Sequence, residues 1–164
     1  MDEVKKISEQ FGREVVRLAK KNLADRKISA GGDLRRSMSS SVRSSKGKIS
    51  VIFEMEDYGA LRDAGQLGSK RKILKGWNKS VFLPRGKGFT TKAPPSQAIQ
   101  KWIRTKPIRS QLSLKSLSFL IARKIKTEGI TPGLFFSDAY NDKIDEFEND
   151  LLAALGVDVE KVLD

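Results

Sequence analysis

Between Asp63 and Glu128 the chain carries 16 lysines and arginines and no aspartate or glutamate. This stretch limits the fold more than any other feature. So many like charges stay on surfaces, and packing has to come from the apolar residues interleaved with them. The flanks differ. Residues 1–63 hold 14 basic and 10 acidic side chains, and residues 128–164 hold 2 basic and 10 acidic ones, within a net charge of +12. A solubilising surface ordinarily mixes both signs. The segregation therefore points to two faces with different partners, one polyanionic and one basic.

Composition narrows the chemistry. A chain of 164 residues, 38% hydrophobic and 32% charged, suits one globular domain spanning residues 1–164 with a modest core. No apolar run approaches the roughly 20 residues that cross a bilayer, and MDEVKKISEQ lacks the apolar centre of a secretory signal. The expectation is a soluble protein made inside a cell, with no membrane partner. There is no cysteine for a disulfide or a thiolate metal site, and no histidine, the commonest general base and zinc ligand.

Apolar spacing supplies the elements. Val4, Ile7, Phe11, Val15, Leu18 and Asn22 or Leu23 predict an amphipathic helix from about Asp2 to Arg26, broken by Ser29-Ala30-Gly31-Gly32. Leu34, Met38 and Val42 fall on one side of a polar run. SSKGK supplies a turn, and Ile49, Val51, Phe53 and Met55 alternate on the return strand, which predicts a hairpin covering a helix on one side. Tyr58–Ala64 reads as a short helix or turn ending at Gly65. Residues 66–92 read as an extended basic loop, with a short strand at Val81-Phe82-Leu83, and the glycines at 65, 68, 76, 86 and 88 read as flexibility.

Pro94-Pro95-Ser96 opens a helix whose apolar side is Ile99, Trp102 and Ile103. Ser113 caps another, with a stripe of Leu114, Leu117, Ile121 and Ile125 and a left-handed glycine cap at Gly129. An acidic helical segment occupies residues 137–164. Its regular part runs from Ser137 to Leu155, buries Tyr140, Ile144, Phe147, Leu151 and Leu155, and stops at Gly156. The fold class is α+β: a small antiparallel sheet packed by a long N-terminal helix and C-terminal helices, with a long basic loop.

Catalytic constellations are few. Glu54, Glu56 and Asp57 could hold Mg²⁺ for phosphodiester cleavage, but Glu54 and Glu56 also suit the polar face of a half-buried strand. Gly86-Lys87 lacks the spacing of a phosphate-binding loop, and no histidine can activate the serines of SMSSSVRSSK. Trp77, Phe82 and Phe89 could stack on single-stranded bases or anchor the loop to the core, which is the preferred reading. The expectation is no enzymatic activity, no metal and no cofactor.

Four pieces of the sequence resemble the phage tail-completion and head–tail joining (tail-terminator-like) family of virion neck proteins. Gly32-Asp33-Leu34-Arg35-Arg36-Ser37-Met38 is similar to the family's "TGxLrxSi". Tyr58-Gly59-Ala60-Leu61-Arg62-Asp63-Ala64-Gly65 resembles "YAxyvefGT", with Gly59 in place of alanine, Ala64 in place of an aromatic, and no threonine after Gly65. Ala93-Pro94-Pro95 through Trp102-Ile103 looks like "PPvxaIxxWixxk". Ile121-Ala122-Arg123-Lys124-Ile125 through Gly129-Ile130-Thr131-Pro132 to Phe135-Phe136 and Ala139 looks like "aIarkIxxxGixpxpFfxxA".

The resemblance implies a non-catalytic structural protein, assembled in the host cytoplasm into the virion neck as a ring, a hexamer where it meets the tail. It joins the head connector to the tail, touches other neck, connector and tail proteins, and surrounds the DNA channel. The candidate channel or interface residues are Lys70, Arg71, Lys72, Lys75, Arg85 and Lys87. The candidate acidic face toward another subunit or ring is Asp142, Asp145, Glu146 and Asp150. The alternative functions are a sequence-nonspecific nucleic-acid-binding protein, or a Mg²⁺ nuclease using Glu54, Glu56 and Asp57.

Overall fold

A computed structural model of the protein describes residues 2–28, 32–70, 79–82, 93–105 and 108–163, the side chains of 157–163 excepted. The fold is α+β: a long N-terminal helix, a small two-stranded antiparallel sheet and C-terminal helices. The chain divides into two compact units. One comprises Met1–Lys27, Leu34–Glu56 and Phe135–Asp164, and the other Ile28–Asp33 and Asp57–Leu134.

The first unit is built on helix α1 (Asp2–Asp25), which buries Val4, Phe11, Val15, Val16, Ala19 and Leu23. Asp2 and Glu3 sit in its first turn, where the helix dipole favours acids. A short helix α2 (Asp33–Ser37) precedes the hairpin of β1 (Ser39–Ser45) and β2 (Lys48–Glu54). Lys46 and Gly47 both have positive φ, 49° and 75°. That is the two-residue turn whose twist matches the strands, and it fixes Ser45 opposite Lys48.

The hairpin lies on α1. Gly12 comes so close that a Cβ there would meet Ser40 Oγ at 2.9 Å and Val51 Cγ1 at 3.3 Å. A glycine facing a serine thus sets the helix-to-sheet distance. Helix α1 also packs against helix α6 (Phe135–Leu163). Asn22 Nδ2 donates to Phe135 O at 3.0 Å, near the start of α6, and Phe147 stacks on Phe11 with ring centroids 4.3 Å apart. The two helices are therefore antiparallel. Phe11 also meets Phe53 and Tyr140 edge-on, so its ring joins α1, β2 and α6.

The second unit holds α3 (Asp57–Ala64), α4 (Ser96–Arg104) and α5 (Leu114–Glu128), with the strands β3 (Gln66–Leu67) and β4 (Gly129–Ile130) paired antiparallel. Helix α5 starts at Ser113, whose hydroxyl accepts from Ser116 N at 3.1 Å. It packs on α4, where Gln100 Nε2 donates to the buried Ser118 Oγ at 3.4 Å. After α3 the chain turns at Gly65, whose N–H bonds Leu61 O at 2.8 Å.

Several sequence expectations are corrected. Leu34 and Met38, expected on a strand, are buried in α2 and just after it; a spacing of four suits a helix face as well as an even strand period. Gly65 and Gly68 are not mere flexibility. Gly65 has φ 74°, and a Cβ there would lie 2.5 Å from Ile130 O, while at Gly68 it would collide with the Thr127 carbonyl. Gly129 has positive φ as expected, but with φ 88° and ψ −167° it is outside the left-handed helical region. That conformation is essentially glycine's alone.

Residues 66–70 do not belong to an extended loop, because β3 pairs there with β4. Val81 and Phe82 form a bend, not a strand. Trp102 is exposed, and Pro95 caps α4 from outside. Helix α6 runs through Gly156 to Leu163; it buries Phe135, Phe136, Ala139 and Ala154, while Tyr140, Ile144, Phe147 and Leu151 are half-buried and Leu155 is exposed. Gly76, Gly86 and Gly88 lie outside the described residues.

The same substitution should act oppositely at two glycines. Gly129→Ala forces a residue with a Cβ into a glycine-only conformation against the Gln66 carbonyl, and should cost at least about 3 kcal/mol. At Gly156 an added Cβ meets nothing within 4 Å. Gly156→Ala should therefore gain about 0.5–1 kcal/mol, as helix propensity dictates. Urea denaturation of both variants checks the pair of signs.

Candidate functional site

Among the candidate basic residues, Lys70 is described, and Arg71, Lys72, Lys75, Arg85 and Lys87 lie outside the described residues, as do Trp77 and Phe89. Lys70 has an exposed side chain and a committed backbone. Ser69 N donates to Lys126 O at 2.7 Å and Lys70 N to Thr127 O at 3.2 Å. Those carbonyls belong to the last turn of α5, which would otherwise leave them without helical partners. A lysine at this end also suits the negative pole of the helix.

A second anchor holds residues 79–82. The Asp63 side chain is fully buried, and its Oδ2 accepts from Ser80 Oγ at 2.7 Å. Ser80 Oγ in turn accepts from Phe82 N at 3.1 Å. Phe82 is half-buried and lines, with Val81, Leu61 and Ala64, a groove of 680 Å³. The anchor is made by Ser80 and the Phe82 backbone; Trp77 and Phe89, read together with Phe82 as aromatic anchors, lie outside the described residues.

The same corner ties α3 to the segment after β4. Gly133 N donates to Arg62 O at 2.9 Å and Leu134 N to Asp63 O at 3.2 Å, while Arg62 Nη1 donates to Thr131 O at 3.1 Å. Burial lowers the Arg62 pKa. This guanidinium is occupied inside the unit.

The four acids named on α6 are all exposed, but they are not equivalent. Lys143 Nζ lies 2.7 Å from Glu146 Oε2 and 2.9 Å from Glu14 Oε2 of α1. Glu146 thus belongs to a tie across the helix seam. Asp150 borders a small cleft in the same seam, beside Ile7, Gln10 and Phe147. Asp142 and Asp145 line no part of that cleft. The hydrogen bond from Lys143 holds Glu14 below the usual carboxylate range, against an opposing effect of burial. Bonds to Glu146 and then Glu14 raise Lys143.

The carboxylates considered for Mg²⁺ are exposed at the end of β2 and the start of α3. Glu54 Oε2 accepts from Ser39 Oγ at 3.5 Å, and Glu56 donates its backbone N–H to Ser37 Oγ at 3.0 Å. Among the described residues, no group of three or more carboxylates, histidines or cysteines is placed to hold a metal ion, and no helix is long and apolar enough to cross a membrane.

The outer face of α5 escaped the sequence reading. Lys115, Phe119 and Arg123 recur every fourth residue and are all exposed, Phe119 at 62%. The signal was present: Phe119 lies off the stripe of Leu114, Leu117, Ile121 and Ile125, an apolar ring on the polar side of the wheel.

Two measurements probe these anchors. Ser80→Ala leaves the buried Asp63 carboxylate short of a donor and should cost about 1–3 kcal/mol. Tryptic cleavage after Lys79, followed by mass spectrometry, should become faster. Glu14→Gln should lower the Tm at pH 7 by about 1–3 °C, as a partly exposed ion pair allows. Glu14's lowered pKa stabilises the fold above the ordinary carboxylate range and is lost as pH falls through the lowered value. Lys143's raised pKa stabilises it below the ordinary lysine range and is lost as pH rises through the raised value. The gap between wild type and Glu14→Gln should therefore close on acidification.

The described site is thus a set of charged and apolar surfaces on two units with internally satisfied anchors, and no family model, no curated protein and no solved structure matches the chain.

Proposed function

We propose that this chain is a structural virion protein of a phage head–tail neck. Its subunits form an oligomeric ring that joins the head connector to the tail and surrounds the DNA channel. The observation that carries this reading is the segregation of charge onto separate elements. Exposed acids cluster on α6, while exposed bases lie on α4, α5 and the turn at Lys70, within the acid-free part of the chain. Ring subunits need complementary flanks, and a lumen that admits duplex DNA meets one negative charge per roughly 1.7 Å of helix axis. In a ring each basic position becomes a belt by symmetry. Contacts of this kind go to phosphates and carry no sequence information.

The quoted sequence pieces also fall on structural joints. Tyr58–Gly65 meets Ile130–Gly133 through Gly65 and the Arg62 and Asp63 carbonyls. Such roles suit a scaffold and require no catalytic group. A second reading, a free nucleic-acid-binding protein, draws on the exposed Trp102 and Phe119 beside Lys101 and Lys115, since aromatics among bases stack on unpaired nucleotides. Assembly without nucleic acid separates the two.

Replacing Lys70, Arg71, Lys72, Lys75, Arg85 and Lys87 with serine tests the channel. The backbone bond from residue 70 to Thr127 O survives the change. Rings and neck joints should form normally, while packaged DNA leaks from more of the completed particles. If joints fail and leakage per completed particle is unchanged, these six residues serve as an assembly clamp and the channel assignment is lost.

A further inference from the structure

Two helical faces of opposite character are left uncovered, one in each unit. On α5 the stripe of Lys115, Phe119 and Arg123 is flanked by Leu120, with Phe119 62% and Leu120 47% exposed. On α6 the residues Asp145, Glu148 and Leu152 share an outer stripe by helical spacing, with Leu152 69% and Leu155 45% exposed. Each face has an apolar centre with charge beside it, basic on α5 and acidic on α6. Large apolar side chains at the middle of a charged surface are the usual anatomy of a protein interface, a desolvated centre within a polar rim. A face that only touched phosphates would have no use for Phe119 and Leu120 at its centre.

We infer that the α5 face of one copy receives the α6 face of a second copy of this chain. In an antiparallel contact Phe119 and Leu120 pack against Leu152 and Leu155, which sets Arg123 beside Glu148 and Asp145. The charges fix partner and register, and the apolar centre supplies most of the affinity. Because the two faces differ, the contact is head-to-tail and propagates until a rotation closes it into a ring. The inference rests on the ring reading for its setting and adds to it the surfaces that join neighbours. Glu146 and Asp150 are left out of the contact because both border the seam with α1.

Sedimentation velocity on the full-length protein without DNA tests it. Wild type should show a mass that rises with concentration and falls with added salt. Phe119→Glu removes the α5 face and keeps the α6 face, and Leu152→Lys does the reverse. Each variant alone should associate at least tenfold more weakly than wild type, with an unchanged Tm because both side chains are exposed. Mixed together they retain one intact contact and should give a 1:1 dimer that grows no further.

If either variant melts early, the swap of Arg123→Glu against Glu148→Arg, each weak alone and restored in the mixture, replaces it. A wild type that stays monomeric, or variants whose mixture gives no dimer, overturns the inference. So does a Phe119→Glu variant that loses only affinity for a duplex oligonucleotide, which would make the face a nucleic-acid surface. The leakage result of the serine variant does not enter this measurement, so the ring reading and this contact can fail separately.

Discussion

The ring of Phe11 is the point on which the first unit turns. It stacks on Phe147 and meets Phe53 and Tyr140 edge-on, so a single side chain joins the N-terminal helix, the hairpin and the last helix. Edge-on or offset aromatic pairs add about 0.5–1.5 kcal/mol each beyond burial. The arrangement works because the neighbours of Phe11 are modest. Gly12 lets the hairpin approach at Ser40, and the buried Ser8 returns its hydroxyl to Val4 O at 2.8 Å.

The second unit holds itself together differently. Its short strands, Gln66–Leu67 and Gly129–Ile130, approach where Gly65, Gly68 and Gly129 leave no room for a Cβ, and the α3 carbonyls accept from the segment that follows. Backbone proximity there does what apolar burial does in the first unit. It leaves the side chains of α4 and α5 available for outward work, which is why so many remain exposed. The buried Asp63 of α3 stands in contrast, a carboxylate kept inside with Ser80 Oγ donating to it.

Much of the architecture was legible from periodicity. α1, the hairpin with its Lys46-Gly47 turn, the Ser113 cap and the apolar face of α6 follow from spacing and turn chemistry. What escaped were contacts with no local signature. The pairing of β3 with β4 joins residues far apart in sequence, and glycines needed for close approach look the same on paper as glycines in a loose loop. Leu34 and Met38 fit two periods at once, and Gly156 looks like a stop although a helix tolerates it. Of the candidate site, exposure of the α6 acids and the i,i+3 pairing of Glu146 with Lys143 were foreseeable from spacing, but the tie from Lys143 to Glu14 depended on knowing which helix lay alongside.

The two long helices of the first unit are unequal. At 29 residues α6 is about 43 Å long, whereas the 24 residues of α1 reach about 36 Å. Their antiparallel match sets Phe147 beside Phe11 and Asp150 near Ile7, so the first residues of α1 stand level with the region around Ala154. The backbone of α6 then runs on past the beginning of its partner by about two turns. The last turns of a helix open more readily than its middle. Amide exchange in them therefore acts as a reporter: any body that clasps this end of α6 should slow exchange there first, before the rest of the unit registers the contact.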